Sequence, residues 1–135
     1  MYSAHTSYKL CLKTKDYKRC KALQRDAESK QDALEFPTIF AERYQRVVGF
    51  LSTFTSQGVL CAGPLVIEKS IKVPAILASR LISGYDNFMR HCGIVEYFFY
   101  VDKTNVKSWI RTMQHHGLSV YSEDENQLWF KRVLV

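Results

Sequence analysis

Glu96 has the most unusual setting of any ionisable residue in this chain. It is the one charged residue in the run Ile94–Val101, whose other members are β-branched or aromatic and typical of a strand. If the side chain is buried, lost hydration favours its protonated form and makes it a useful general base. If the strand is covered on one face only, Glu96 points to solvent instead. The sequence leaves both alternatives open.

Metal chemistry has little support in the sequence. The cysteines have no C-x-x-C spacing, and no histidine pair accompanies them, so free, buried thiols in a reducing cytoplasm are favoured. His115 and His116 are adjacent near the end of a predicted helix, which favours a surface pair over a set of ligands. We therefore predict no metal site. The four cysteines are Cys11, Cys20, Cys61 and Cys92.

A strand–helix–strand unit occupies the centre of the chain and is expected to position any site. Val59–Glu68 is almost wholly apolar, as a strand buried on both faces should be, and Ile94–Tyr100 is the second strand. The helix Pro74–Cys92 joins them, so the strands are parallel and leave a crevice at their carboxyl ends. Gly63 and Pro64 interrupt the first strand and predict a bulge or kink within it.

The helix Pro74–Cys92 is assigned from its apolar spacing. Leu77, Leu81, Tyr85 and Met89 recur at steps of four residues and predict the buried face. The polar residues are expected to face away from the core, namely Ser79, Arg80, Ser83, Asp86, Asn87 and Arg90.

The other segments complete a three-layer α/β domain built on a mixed sheet of about seven strands. Its order is strand, helix with a weaker second helix or loop, three antiparallel strands, helix, strand, helix and two strands. The first strand is Tyr8–Lys13, Thr14 opens the first helix with Ala27 on its apolar stripe, and Glu28–Phe36 is the weaker helix or loop. Thr38–Glu42 and Val47–Phe54 form a hairpin about the turn Arg43–Arg46. The last helix contains Val106–Met113, and the last two strands are Leu118–Tyr121 and Gln127–Leu134.

Size and composition predict one globular domain over residues 1–135, because 47% of the residues are apolar and 24% charged. No apolar stretch approaches the length of a transmembrane helix, and the start lacks a signal-peptide core. The net charge is +6, and residues 1–30 hold eight basic residues against three acidic ones. Such a surface can attract nucleic acid, a phosphorylated cofactor or an acidic partner, or it is simply a solvated helix face.

Four motifs in this order resemble the GNAT superfamily of N-acyltransferases, and the resemblance covers nearly the whole chain. They are the hairpin end Arg46–Phe50, the strand Gly63–Ile67, the helix end Arg90–Ile94, and a helix that starts at Asn105–Ser108 and ends through Met113 at Gly117. The length and the strand Trp129–Lys131 also resemble small acetyltransferase-like proteins of bacteriophages.

The resemblance implies that the fourth and fifth strands splay apart and that acetyl-CoA is the cosubstrate. Its pantetheine arm would pair with Leu65, Val66 and Ile67, and its pyrophosphate would lie on Lys69–Ala78, where helix amides favour an anion. Asn105 and Ser108, at the start of the last helix, complete the implied cofactor-binding set.

The chain departs from the family in the pyrophosphate loop. The family has Gln/Arg-x-x-Gly-x-Gly/Ala, whereas this chain has Val73–Ala78, in which only Ala78 fits. Lys69, Ser70 and Lys72 are expected to substitute in part through charge and hydroxyl contacts.

For acyl transfer, the resemblance implies that a backbone amide near Val66–Ile67 polarises the thioester carbonyl. Glu68 or Glu96 would take the proton of the amine. Met113 stands where the family has a tyrosine that protonates the thiolate, so Tyr100 or Tyr97 would have to serve instead.

The resulting prediction is an N-acetyltransferase acting on an unidentified amine of a small molecule or protein. Two alternatives stay open at this stage. One is an inactive GNAT-fold binding or structural protein, such as a virion component, and the other is a module that binds nucleic acid. We expect a cytoplasmic protein without membrane attachment, and its oligomeric state is open.

Overall fold

The computed structural model describes residues 5–26, 36–103 and 106–134, apart from the side chains of 26, 102 and 106–110. None of its described helices is both long and apolar enough to cross a membrane. The elements in these ranges are β1 (Thr6–Leu10), α1 (Thr14–Asp26), β2 (Phe36–Arg43), β3 (Arg46–Ser56), β4 (Val59–Ile67), α2 (Pro74–His91), β5 (Glu96–Asp102), α3 (Val106–His115), β6 (Ser119–Glu123) and β7 (Gln127–Val133).

The seven strands form one sheet in the order β1-β2-β3-β4-β5-β7-β6. Strands β4 and β5 are parallel, and each other neighbouring pair is antiparallel. This arrangement confirms the predicted mixed sheet and its parallel central pair.

Helices cover the two faces of this sheet and give the predicted three layers. Ile39 and Ala41 of β2 pack in one cluster with α2 and α3 residues such as Leu81 and Met113. Phe40, which lies between them in β2, packs instead with Cys20 of α1. Because neighbouring strand residues point to opposite faces, α1 lies on one side of the sheet and α2 with α3 on the other.

Several predicted boundaries were wrong. β1 begins at Thr6 and ends at Leu10, because the carbonyl of Lys13 already accepts hydrogen bonds from the first turn of α1. The first hairpin turns on only two residues, Tyr44 and Gln45, both with positive φ. Phe36 belongs to β2, and the rest of the weaker predicted segment, 28–35, together with Ala27, lies outside the described residues.

β5 begins at Glu96 rather than Ile94. The N–H of Gly93 donates to the carbonyl of Arg90, and the N–H of Ile94 donates to the carbonyl of Met89 at 2.9 Å. These bonds complete the end of α2, so Ile94 is part of a helix cap rather than a strand. Cys92, just before them, is exposed, which corrects the expectation that the thiols are buried.

The predicted bulge lies at Gly63 and Pro64. Leu51 of β3 faces Leu65, whereas Thr53 faces Ala62, so β4 contains one residue more than its partner over this stretch. Gly63 has φ of +139°, and a Cβ built on it would overlap the ring of Tyr100. Gly63 therefore allows the Tyr100 ring to lie directly against the backbone of β4.

Asp86 is buried, contrary to its predicted place on the outer face of α2. Its Oδ1 accepts a hydrogen bond of 2.6 Å from the hydroxyl of Tyr97, and its Oδ2 accepts one of 3.2 Å from Nε of Arg132. A carboxylate with two such donors is satisfied in the core. Asp86 thus joins α2 to both β5 and β7.

We predict that Gly63→Ala lowers the free energy of unfolding by about 2–5 kcal/mol, from backbone strain and overlap with Tyr100. Gly93→Ala is the matched control, because Gly93 also has positive φ but no atom within 4 Å of its added Cβ. It should lose only about 1–2 kcal/mol. Urea unfolding measures both, and equal losses would show that contact with Tyr100 is not a constraint.

We predict that Asp86→Ala costs about 3–5 kcal/mol, because it leaves Arg132 and Tyr97 without their buried acceptor. The control is Glu96→Ala, which breaks an ion pair of 3.3 Å with Lys131 between side chains that are 45% and 39% exposed. That change should cost under about 1 kcal/mol. Similar midpoints for the two variants in urea unfolding would contradict the structural role of Asp86.

Candidate active site

A gap separates β4 from β5 over most of their length. Within these two strands, whose backbones are described throughout, only Cys61 with Phe98 and Ala62 with Phe99 are paired. Beyond Ala62, β4 continues beside β3 to Ile67, while β5 continues beside β7 to Asp102. The predicted splay is therefore present, and it opens toward the carboxyl ends of both strands.

Two residues of β4 present backbone groups to this gap. The N–H of Glu68 donates to the carbonyl of Val48 at 2.9 Å, so Glu68 faces β3. Val66 faces β3 as well, since alternate residues of a strand point their N–H and C=O groups to the same side. Leu65 and Ile67 consequently point theirs into the gap. Of the three residues predicted to pair with a pantetheine arm, these two have their backbone groups available.

The open end of the gap leads to the first turn of α2. Val73 precedes this turn and has no polar side-chain atom to cap the helix amides, and the first turn contains no acidic residue. Pro74 occupies the first helical position, so the amides of Ala75 and Ile76 are the first that lack a helical acceptor. Ile76 is 58% exposed, so this turn lies at the surface. Such a turn is suited to an anion.

The predicted loop residues do not lie together. Ser70 donates to Oε1 of Glu68 at 2.7 Å, and Lys69 lines a cavity of about 560 Å³ on the α1 side with Arg19 and Arg46. Lys72 is exposed and lines a second cavity, of about 710 Å³, on the β1 side. Ala78 is fully buried in the core, so it contributes to helix packing rather than to a loop surface.

Tyr100 lies where the two strands separate, directly after Phe99, the last paired residue of β5. Its ring contacts the ring of Phe54 at 5.7 Å and that of Trp129 at 5.3 Å between centroids, and its hydroxyl oxygen is buried. Tyr97, the other predicted proton donor, instead donates to Asp86 on the α2 side of the sheet. Of these two tyrosines, Tyr100 is the one at the gap.

The two predicted bases are far from one another. Glu96 begins β5 at the end opposite the gap and is exposed beside Lys131. Glu68 follows β4 at the open end, about 16 Å along the strand from Gly63 at the usual rise per residue. There Arg46 lies 3.2 Å from its Oε1, and its Oε2 is buried. Glu68 thus follows β4 at the open end of the gap and lines the cavity on the α1 side, whereas Glu96 lies at the opposite end of the strands; their roles as bases stay predictions.

The predicted site residues at α3 are either outside the described part of the chain or buried. Asn105 lies outside the described residues, as does the side chain of Ser108, so their predicted contacts stay predictions. Met113, at the position of the family's tyrosine, is fully buried in the core. On α3, this position therefore offers no hydroxyl group to the gap.

One contact between α2 and α3 was not expected from the sequence. Ser79 Oγ and His116 Nε2 share a hydrogen bond of 2.5 Å. Burial is the main cause that lowers the pKa of His116. The charge of Asp86 raises this pKa, whereas the charges of His115 and Arg132 lower it further. The ring is therefore mainly neutral at pH 7. No local pattern could have revealed this bond, because its partners are 37 residues apart.

Comparison with known proteins places this geometry in a familiar fold. No model of a protein family and no curated protein sequence matches the chain. Solved structures match almost all of it. The ribosomal-protein-S18-alanine N-acetyltransferase from Escherichia coli has a TM-score of 0.75 at 10% identity, over 96% of this chain and 94% of its own.

Two further structures give the same result. The diaminobutyrate acetyltransferase from Paenibacillus lautus, solved with its substrate and coenzyme A, has a TM-score of 0.71 at 17% identity, over 96% of this chain and 95% of its own. A protein from Desulfovibrio desulfuricans assigned to the GNAT family has a TM-score of 0.73 at 8% identity, over 97% and 100% of the two chains. The chain therefore has the fold of the GNAT acetyltransferases.

Proposed function

We propose that this protein is an N-acetyltransferase that moves the acetyl group of acetyl-CoA to an amine. The observation that carries the proposal is the gap between β4 and β5, which ends at Tyr100 and holds the free backbone groups of Leu65 and Ile67. A gap lined in this way can accept an extended ligand with amide groups, as a sheet edge accepts an added strand.

The residues at both ends of the gap fit coenzyme A. The backbone of Leu65 and Ile67 would bind the amides of the pantetheine arm. At the open end, the uncapped amides of Ala75 and Ile76 and the positive end of the α2 dipole would hold the pyrophosphate. Ile76 stands where the family has a loop glycine, and it is 58% exposed rather than packed into the core.

Acetyl-CoA supplies an acetyl group activated as a thioester. Of the N–H groups of Leu65 and Ile67, the one that the pantetheine arm leaves free would donate to the thioester carbonyl and stabilise negative charge as it develops on the oxygen. Tyr100 would donate its hydroxyl proton to the departing thiolate. Of the two predicted carboxylates, Glu68 is the one at the open end of the gap, about 16 Å along β4 from Gly63, so it would take a proton from the amine only through a chain of waters.

Binding of coenzyme A is the first test, by isothermal titration calorimetry and thermal unfolding. Ligand at 100 times its Kd should add about 2.7 kcal/mol to the free energy of unfolding and raise Tm by several degrees. We predict that Ile76→Glu weakens binding about tenfold or more, because its carboxylate would lie beside the pyrophosphate.

Ile76→Gln is the matched control, with the same shape and no charge, and it should bind as the parent protein does. Loss of binding by Ile76→Glu would not reflect unfolding, since a carboxylate in the first turn stabilises a helix. No heat of binding and no change in Tm for the parent protein at millimolar coenzyme A would refute the proposed function.

We predict that Tyr100→Phe lowers turnover by about 100-fold or more while the affinity for coenzyme A is unchanged, because only the proton donor is lost. Turnover is measured as thiol release from acetyl-CoA with a panel of polyamines, aminoglycosides and peptides. Tyr97→Phe is the control, since it removes an equally buried hydroxyl from the same strand; it should lower stability but not turnover.

Unchanged turnover in Tyr100→Phe would assign the proton transfer to another group. If coenzyme A binds but no amine of the panel releases thiol, the result would favour the alternative of an inactive binding protein.

A further inference from the structure

A broad depression of about 1070 Å³ lies across the outer surface of α2 and α3. We call it the α2–α3 depression. Its charged or titratable members on the two helices are Arg80, Arg111 and His115, and none of the described residues that line it is a carboxylate. The described residues that line it are Tyr8, Ala75, Ile76, Ser79, Arg80, Ser83, Arg111, Thr112, Gln114 and His115.

The two arginines of this depression differ from others in the described part of the chain. Arg19, Arg46 and Arg132 each lie within 3.2 Å of a carboxylate oxygen. Arg80 and Arg111 are exposed and form no ion pair with any described residue. Their guanidinium groups therefore keep their donors available for an anion from solution.

The basic surface is continuous with the start of α2. The neighbouring cavity of about 710 Å³ shares Tyr8, Ile76 and Arg80 with the depression and adds Arg43 and Lys72, and its described lining also contains no carboxylate. Arg80 lies one helical turn beyond Ile76, about 6 Å along the axis. An anion bound at Arg80 would thus be close to, but separate from, one bound at the first turn.

We propose that Arg80 and Arg111 bind the phosphate monoester on the ribose of coenzyme A, so that the protein selects coenzyme A over its dephosphorylated form. This inference rests on the proposed function, in which the pyrophosphate occupies the first turn of α2. One ribose separates that pyrophosphate from the monoester, which matches the one-turn spacing. Two planar guanidinium groups have enough donors for the several oxygens of a phosphate, whereas a carboxylate would offer them only two oxygens.

The experiment is calorimetric titration of coenzyme A and 3′-dephospho-coenzyme A into the parent protein, Arg80→Gln, Arg111→Gln and the double variant. The parent protein should bind coenzyme A about tenfold or more tightly than the dephosphorylated form, as one charge-assisted contact would give. The double variant should bind both ligands equally, with the affinity of the parent protein for dephospho-coenzyme A. Each single variant should lose part of the preference.

Lys18→Gln is the charge-matched control, because Lys18 is exposed on α1, on the other face of the sheet. It should keep the full preference for coenzyme A. Equal binding of both ligands by the parent protein would overturn the inference and leave the proposed function standing, and so would a preference that persists in the double variant. Binding of neither ligand would overturn both.

Discussion

The structure depends on the fact that β4 and β5 pair over only two residues on each strand. The cause lies in the residues that follow. Gly63 carries no side chain, so the ring of Tyr100 lies directly against the backbone of β4 at the point where the pairing stops. Once the strands are separated there, the alternation of the backbone decides which groups face the gap.

A sheet with a gap at its centre must be held together by other contacts. β4 keeps β3 as a partner on both sides of the bulge, and β5 pairs with β7 from Glu96 to Asp102. The carboxylate of Asp86 then binds Tyr97 of β5 and Arg132 of β7, which fixes both strands to α2. The two halves of the sheet are thus joined by α2 as well as by the short β4–β5 contact, and the gap can stay open.

The sequence predicted the parts of this arrangement that have a local cause. The apolar run of β4, its interruption at Gly63, and the periodic apolar face of α2 each have a short-range pattern, and the structure contains all three. Asp86 was misplaced because a carboxylate in a helical pattern indicates solvent, whereas its partner Arg132 is 46 residues away. The sequence predicts Glu96 in the middle of a strand because Ile94 and Val95 favour strands. In the structure Glu96 is the first residue of β5, because the N–H of Ile94 completes the end of α2.

The distribution of charge, finally, separates two classes of ligand that the sequence alone left open. In the basic amino-terminal segment, Lys9 and Arg19 both bind Glu42, and Arg19 also binds Asp16. The hydrogen bond from Arg19, followed by that from Lys9, lowers the pKa of Glu42, so this carboxylate stays ionised and keeps its partners neutralised. Part of the positive charge that suggested a nucleic-acid surface is therefore used within the fold.

The α2 side of the sheet has the opposite character. Lys72, Arg80 and Arg111 line cavities to which no carboxylate of the described part of the chain contributes, and these cavities adjoin the start of α2. An anion gains most from cations that are not already paired, and a compact set of such cations beside a helix start suits a small ligand with several phosphates. The electrostatics thus favour a phosphorylated coenzyme at α2 over a nucleic acid along α1, at the same end of the molecule as the open gap.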